Sequence, residues 1–200
     1  MTTFALAVIA YLIGSISFAV VTSRAFRLPD PRTYGSQNPG ATNVLRSGKK
    51  AAAALTLLGD SLKGWVAVVI AATFADSQTL ELAKALAALA AVLGHMYPVF
   101  HRFQGGKGVA TALGVLFGLN LYVALGTAAT WLVIVFFFRI SSLAALVSAL
   151  FAPFGTLMLY NAGHPYFASV AVIAALLVWR HRSNIRNLLA GTEGRLGSRS

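Results

Sequence analysis

The 200-residue chain contains no cysteine. That excludes disulfides, thiolate nucleophiles and thiolate metal sites. Acidic groups are almost as scarce: five Asp and Glu in all. Few candidates remain for paired-carboxylate chemistry, and no His and carboxylate cluster has the spacing of metal ligands, so neither a metal nor another cofactor is expected. Charge of any sign is rare. Only 10% of residues are charged and 58% are hydrophobic, whereas about a quarter of a soluble domain is charged. So little charge cannot cover a water-facing surface, and the chain reads as an all-α integral membrane protein. Its length fits one domain, residues 1–200, with no room for a separate soluble catalytic domain.

The charge that is present is mostly positive: 16 Lys and Arg, for a net +11. On a soluble protein that excess would point to nucleic acid. In a membrane protein, Lys and Arg collect in cytoplasmic loops, so no nucleic-acid partner is expected.

Apolar runs dominate the rest. The first, "FALAVIAYLIGSISFAVV" (Phe4 to Val21), is long enough to span. No Lys or Arg precedes it, as one would in a secretory signal peptide, and cations follow at Arg24 and Arg27. This places the N-terminus outside. Further runs cover about 51–74, 82–97, 109–119, 121–138, 142–159 and 166–179, the fourth and fifth separated by "GLN" near Asn120. With the N-terminus outside, the loops at about 24–50, 98–107 and 139–141 and the tail at about 180–200 all fall inside. They hold Arg24, Arg27, Arg32, Arg46, Lys49, Lys50, Arg102, Lys107, Arg139, Arg180, Arg182, Arg186, Arg195 and Arg199. The outer loops hold no Lys or Arg; Lys63 and Lys84 lie within segments. Fourteen cations against none favours seven transmembrane helices with the C-terminus cytoplasmic. A five-span arrangement results if 109–138 dips into the membrane as a hairpin. "GVLFG" (Gly114 to Gly118) suits close helix packing, although chance explains it equally well in a glycine-rich chain.

Four polar stretches interrupt this pattern. "GSQNPGATNVLR" brings together glycines whose N–H groups can form an anion-binding nest, donors at Ser36, Asn38, Thr42 and Asn43, and the planar cation of Arg46. An ordinary turn at Pro39-Gly40 is the alternative. "FQGGKG" allows close backbone approach at Gly105 and Gly106 and sets Lys107 near a helix start. A cation is unfavourable there unless an anion lies between; otherwise it is a snorkelling lysine. "GDSLKG" puts Asp60 and Lys63 on one helix face within an apolar run, as a functional pair at membrane depth or a structural ion pair. In "RHRSNIRNLLAGTE", His181 and Asn184 share a face if the last helix continues, and Arg182 and Arg186 share another. A basic tail of this kind also serves topology or binds anionic headgroups. Together the four stretches suggest a cytoplasm-facing site for an anion. A phosphate transporter would need such a site too, but the outer loops are short and uncharged. A lipid-binding scaffold would explain the tail but not Lys107 and the glycine loops.

These four motifs, in order from "YLIGSISFA" to Glu193 with "HMYPVFHRFQGGKGVAT" between, resemble the bacterial acylphosphate:glycerol-3-phosphate acyltransferases, the PlsY family. One departure is Ser17, where many relatives have Pro. The resemblance implies a seven-helix enzyme of the bacterial inner membrane with its active site facing the cytoplasm. It implies acyl transfer from acyl phosphate, not acyl-CoA, to the 1-hydroxyl of sn-glycerol 3-phosphate, giving lysophosphatidic acid in the first committed step of phospholipid synthesis. By motif position, Ser36, Arg46, Lys107, His181 and Asn184 match the family's catalytic and glycerol-phosphate-binding residues. Asn38, Gly40, Ala41, Thr42 and Asn43 match its phosphate-holding loop, and Asp60, Lys63, Gly105, Gly106 and Gly108 join the substrate-binding set. Acyl phosphate, glycerol 3-phosphate and membrane lipids would be its partners, with the enzyme that makes acyl phosphate a further candidate. An acyl-CoA-dependent enzyme is the near rival, but no H-x-x-x-x-D pattern occurs: Phe100 and Gly106 stand five residues after His95 and His101.

Overall fold

A computed structural model describes residues 1–197, so Arg199 lies outside the described residues. The described chain is helical, with no strand among these residues. Ten α-helices occur: α1 Thr3–Gly14, α2 Phe18–Ala25, α3 Ala41–Leu45, α4 Lys50–Phe74, α5 Leu80–Met96, α6 Val109–Leu119, α7 Leu121–Phe138, α8 Ser141–Leu159, α9 Pro165–Arg180 and α10 Arg182–Leu189. Five stretches are long and apolar enough to cross a bilayer: 3–25, 50–74, 77–101, 121–138 and 141–159. Two shorter apolar helices, α6 and α9, complete the set of seven runs read from the sequence.

The helix ends have local causes. Asn120 caps α7, its Oδ1 accepting from the N–H groups of Tyr122 (2.9 Å) and Val123 (3.1 Å). One polar residue thus divides an apolar run of nearly thirty. Arg139 takes the left-handed conformation (φ 57°) and ends α7. His164 Nδ1 accepts from Tyr166 N–H, and Pro165 opens α9, where its missing donor costs nothing.

The chain forms two compact units, one of residues 1–119 and one beginning at Asn120. In the first, α1 packs on α5, and α4 on α5 and α6. Small residues set these distances. A methyl group added at Gly114 would collide with the Ser61 carbonyl, one at Gly64 with the Thr111 carbonyl, and one at Gly118 would lie 2.6 Å from Val68 Cβ. "GVLFG" is therefore a close-packing face against α4. Buried alanines fill the remaining interior, among them Ala67, Ala71, Ala87, Ala88 and Ala91. Large apolar groups such as Phe4, Leu58 and Leu62 point outward, as a lipid-facing surface requires.

The first long apolar run is not one helix. It breaks between Gly14 and Phe18, and the Ile16 carbonyl leaves the helical ladder. Ser15 Oγ donates to Tyr11 O at 2.9 Å, and Lys63 Nζ donates to Ile16 O at 2.6 Å. Non-helical backbone at membrane depth persists only where protein satisfies it. A proline at Ser17 would fit this break.

In the second unit α7 packs on α8, and α8 on α9. The tail returns within the unit: Leu196 N donates to Arg139 O at 2.7 Å.

Candidate functional site

The loop after α2 is organised from within. Asp30 stands between Pro29 and Pro31 and receives both Nε (2.9 Å) and Nη2 (2.6 Å) of Arg32. The Arg32 side-chain hydrogen bond holds the Asp30 carboxyl down at about 2. Arg32 is thereby committed to a carboxylate.

Asn43 is buried at the centre of this loop. Its amide donates to Pro31 O (2.7 Å) and Tyr34 O (3.2 Å), while its Oδ1 accepts from Ser36 N (3.0 Å). Both amide protons are spent on backbone carbonyls. From sequence alone Asn43 is a candidate donor to the ligand; its side chain instead shapes the loop that presents Ser36. The turn from Tyr34 to Gln37 runs through Gly35 and Gln37, both at positive φ (58° and 55°). A side chain at Gly35 would strike Asn43 Oδ1 and lie 3.2 Å from Arg46 Cδ. Arg46 therefore lies across Gly35, next to Ser36, and both are exposed. Among the described residues no carboxylate lies within ion-pair distance of Arg46. Gly40 is the residue before α3, followed by Ala41 and the exposed Thr42; Asn38 sits half-buried two positions earlier.

The second loop packs against the end of α5. Gly106 N donates to His95 O at 3.1 Å. A methyl group on Gly105 would meet the His95 and Met96 carbonyls. One on Gly106 would meet the His95 ring and lie 3.0 Å from Pro39 O. The two glycine-rich loops therefore meet backbone to backbone, at Pro39 and Gly106. Gly108, at φ 89°, makes the turn into α6. Lys107 is half-buried between these glycines, two residues before Val109 opens α6.

Asp60 and Lys63 were expected among the substrate contacts. Both are buried, at 2% and 4% exposure. Lys63 Nζ lies 2.7 Å from Asp60 Oδ1 and 2.9 Å from His95 Nδ1. The Lys63–Asp60 contact is a buried ion pair. His95 was not singled out from the sequence. A single histidine on an apolar helix carries no local signal, and its partner is 32 residues away in the chain.

In the second unit, α9 does not run on through His181. That residue (φ −95°, ψ 10°) ends α9 and precedes α10, so the continued helix on which a shared His181 and Asn184 face depended is interrupted there. His181 is buried and its Nδ1 lies 2.8 Å from Leu177 O. A carbonyl only accepts, so Nδ1 carries a proton, and in the neutral ring Nε2 is the lone-pair nitrogen. Asn184 Nδ2 donates to Glu193 Oε1 (2.6 Å), and Ser142 Oγ donates to the same oxygen (2.6 Å). Ser142 and Glu193 were also missed. Glu193 closes the last motif in the sequence, but a carboxylate in a tail gives no sign of the serine it receives. Arg182 stacks on Trp179, 5.1 Å from the ring centroid. Among the described residues no group of three or more His, Asp or Glu could hold a metal ion.

Comparison with known proteins places these loops in context. The family model described as glycerol-3-phosphate acyltransferase matches residues 4–191. Curated relatives of that name come from Ralstonia nicotianae, 61% identical over 96% of this chain and 93% of the relative, and Burkholderia ambifaria, 58% identical over 96% and 90%. Two crystal structures are similar in fold, both of PlsY (YgiH), an integral membrane glycerol 3-phosphate acyltransferase, and both 42% identical to this chain. The glycerol 3-phosphate form has a TM-score of 0.87, covering 98% of this chain and 96% of that one. The lysophosphatidic acid form has a TM-score of 0.84, covering 98% and 95%.

Proposed function

The chain belongs to the glycerol-3-phosphate acyltransferase family, and from that premise we propose that it moves an acyl group from acyl phosphate to the 1-hydroxyl of sn-glycerol 3-phosphate. The products are lysophosphatidic acid and phosphate. The observation that supports this best is the meeting of the two glycine-rich loops at Pro39 and Gly106, with Ser36, Arg46 and Lys107 carried on them. The forms in which the structural neighbour was solved support glycerol 3-phosphate as substrate and lysophosphatidic acid as product.

The chemistry follows from the groups available. Each phosphate carries up to about two negative charges, so two phosphorylated substrates bring roughly four. Arg46 and Lys107 offset that charge, Arg46 through a planar fork suited to phosphate oxygens. Ser36 donates a hydrogen bond, with Asn38, Gly40, Ala41 and Thr42 around it. Gly105, Gly106 and Gly108 let the backbone approach closely. Acyl phosphate is a mixed anhydride and is already activated, so no enzyme nucleophile is required. The glycerol hydroxyl attacks the acyl carbonyl, the new ester C–O bond forms, and the bond from that carbon to the phosphate oxygen breaks. Either a substrate phosphate oxygen or His181 takes the hydroxyl proton; at His181 the receiving atom is Nε2. His181 and Asn184 are assigned by motif position. The protein's share is positioning and charge stabilisation.

The same reading makes residues 1–200 one transmembrane domain of seven spans in the bacterial inner membrane. Its N-terminus is outside, and the motif loops face the cytoplasm. The acyl chain stays in or beside the bilayer, which accounts for a phosphate-binding enzyme built in lipid.

The test is donor choice. Purified protein given glycerol 3-phosphate should yield lysophosphatidic acid with acyl phosphate and little or none with acyl-CoA. Mass spectrometry of the protein during turnover should find no acyl adduct. Equal rates with both donors, or an acyl group on Ser36, would overturn the donor assignment or the direct mechanism respectively.

A further inference from the structure

The buried cluster of Asp60, Lys63 and His95 enters no step above, yet it is built with care. An ammonium group has only donors. Around Lys63 Nζ stand three acceptors: Ile16 O at 2.6 Å, Asp60 Oδ1 at 2.7 Å and His95 Nδ1 at 2.9 Å. Asp60 Oδ1 is 3.5 Å from the same ring nitrogen, farther than the lysine. With Nδ1 accepting, the neutral imidazole carries its proton on Nε2. That edge of the ring faces Gly106. A methyl group built there would collide with Nε2 and lie 2.9 Å from Cε1. The backbone of the same histidine receives Gly106 N at 3.1 Å. His95 thus touches the turn before Lys107 with both its ring and its carbonyl, and Lys63 fixes how the ring is turned.

We propose that His95 is a positioning residue for Lys107. The chain Asp60–Lys63–His95 sets the height of the Gly105–Gly106 turn, and through it the place at which Lys107 meets a substrate phosphate. The inference rests on the reading of Lys107 as a phosphate clamp. A lysine is a point charge on a flexible stem, so its aim depends on how firmly its backbone is held. Binding groups act well only when held to within about half an ångström, which a glycine-rich turn cannot achieve unsupported. The support comes from the helix interior, where a packed ion pair resists displacement.

The experiment uses two variants that divide the ring between its nitrogens. His95→Asn keeps a polar atom near the Nδ1 position, facing Lys63, and loses the reach to Gly106. His95→Gln keeps the reach and leaves Lys63 and Asp60 without their third member. Because the chain has no cysteine, a single nitroxide label on Gln104→Cys, an exposed position, reports motion of the turn without substrate. His95→Asn should loosen the label. It should also raise KM and weaken binding for glycerol 3-phosphate about five- to tenfold, part of the worth of one charge-assisted hydrogen bond that is displaced and not removed. His95→Gln should instead lower thermal stability. A merely structural role would reduce yield in both variants and leave KM alone. If either the label motion or the KM of folded His95→Asn stays at the wild-type value, the proposal is overturned. Where His95→Asn fails to accumulate, Gly106→Ala asks the same question from the other side. Its methyl forces ring and turn apart, and wild-type label motion or KM again overturns the proposal. A wild-type protein that neither binds nor transfers would sink the proposed function instead, and the label would still decide whether His95 holds the turn.

Discussion

At the scale of single residues, Arg46 and Lys107 differ from the other cations by position, not by charge. Arg32 is held by Asp30 and Lys63 by Asp60, whereas Arg46 lies exposed across a glycine beside Ser36. With substrate bound over the loops each cation would form a charge pair withdrawn from water, and removing one partner of such a pair costs about 2–5 kcal/mol. At about 1.4 kcal/mol per decade, Arg46→Ala and Lys107→Ala should lose roughly 30-fold to several thousand-fold in acyl transfer while still reaching the membrane. Arg46→Lys keeps the charge without the fork and should also be badly impaired. Arg24→Ala, on the exposed last turn of α2, should retain activity. Comparable rates in all four would show that these cations clamp nothing. Ser36, Arg46 and Lys107 stand out in the sequence because glycine, amide and cation crowd together where the chain is otherwise apolar; that the loops carrying them meet at Pro39 and Gly106 was not legible. Asn43 was legible as important but not in its role, since an amide that binds a ligand and one that binds its own loop look alike until the partners are known. His95 opens the stretch "HMYPVFHRFQGGKGVAT", but its role was not legible, because it lies in contacts with Lys63, 32 residues away, and with Gly106.

At the scale of helices, the sequence located the apolar segments to within a few residues, because hydrophobic length is a local property. The break in the first run escaped it. "GSIS" is weakly polar and would sit in a continuous helix; what satisfies the open backbone is the Lys63 ammonium on Ile16 O, a tertiary contact. The pairing of α4 with α6 was suggested only as one of two equal readings of "GVLFG". The structure favours packing, and this gives a test. At Gly114 a methyl group would run into the Ser61 backbone, which cannot move without shifting α4. Gly114→Ala should therefore cost about 1–3 kcal/mol and lower the midpoint of thermal unfolding in detergent. Gly155→Ala is the matched control. Its methyl would make ordinary contact, 3.4 Å from Phe151, and relief of glycine's backbone entropy should leave it neutral or stabilised by about 0.5–1 kcal/mol. Equal midpoints for the two variants would mean that the α4–α6 distance is not set by Gly114.

For the whole molecule, charge asymmetry is the strongest statement the sequence makes, and it concerns orientation. Single cysteines probe it directly in a cysteine-free chain. The structure guides where to put them: Gly105 is wedged against carbonyls and would tolerate no side chain, whereas Lys49, Gln104, Ser77 and Asn161 are exposed. In intact cells a membrane-impermeant thiol reagent should label positions 77 and 161 and spare 49 and 104. The reverse pattern would put the motif loops on the wrong face for a cytoplasmic substrate.

The break at Ser15–Ser17 also bears on how such a chain enters a membrane. Asp60 and Lys63 sit three apart on α4 and pair with each other, so that helix brings its charges in already balanced. The first span has no such provision. Its Ile16 carbonyl is satisfied by a side chain synthesised 47 residues later, and lipid offers no substitute donor. Residues 3–25 therefore cannot hold their finished shape when they first leave the ribosome. They must cross as a plain helix, or wait beside water, until α4 arrives with the lysine that satisfies the open carbonyl.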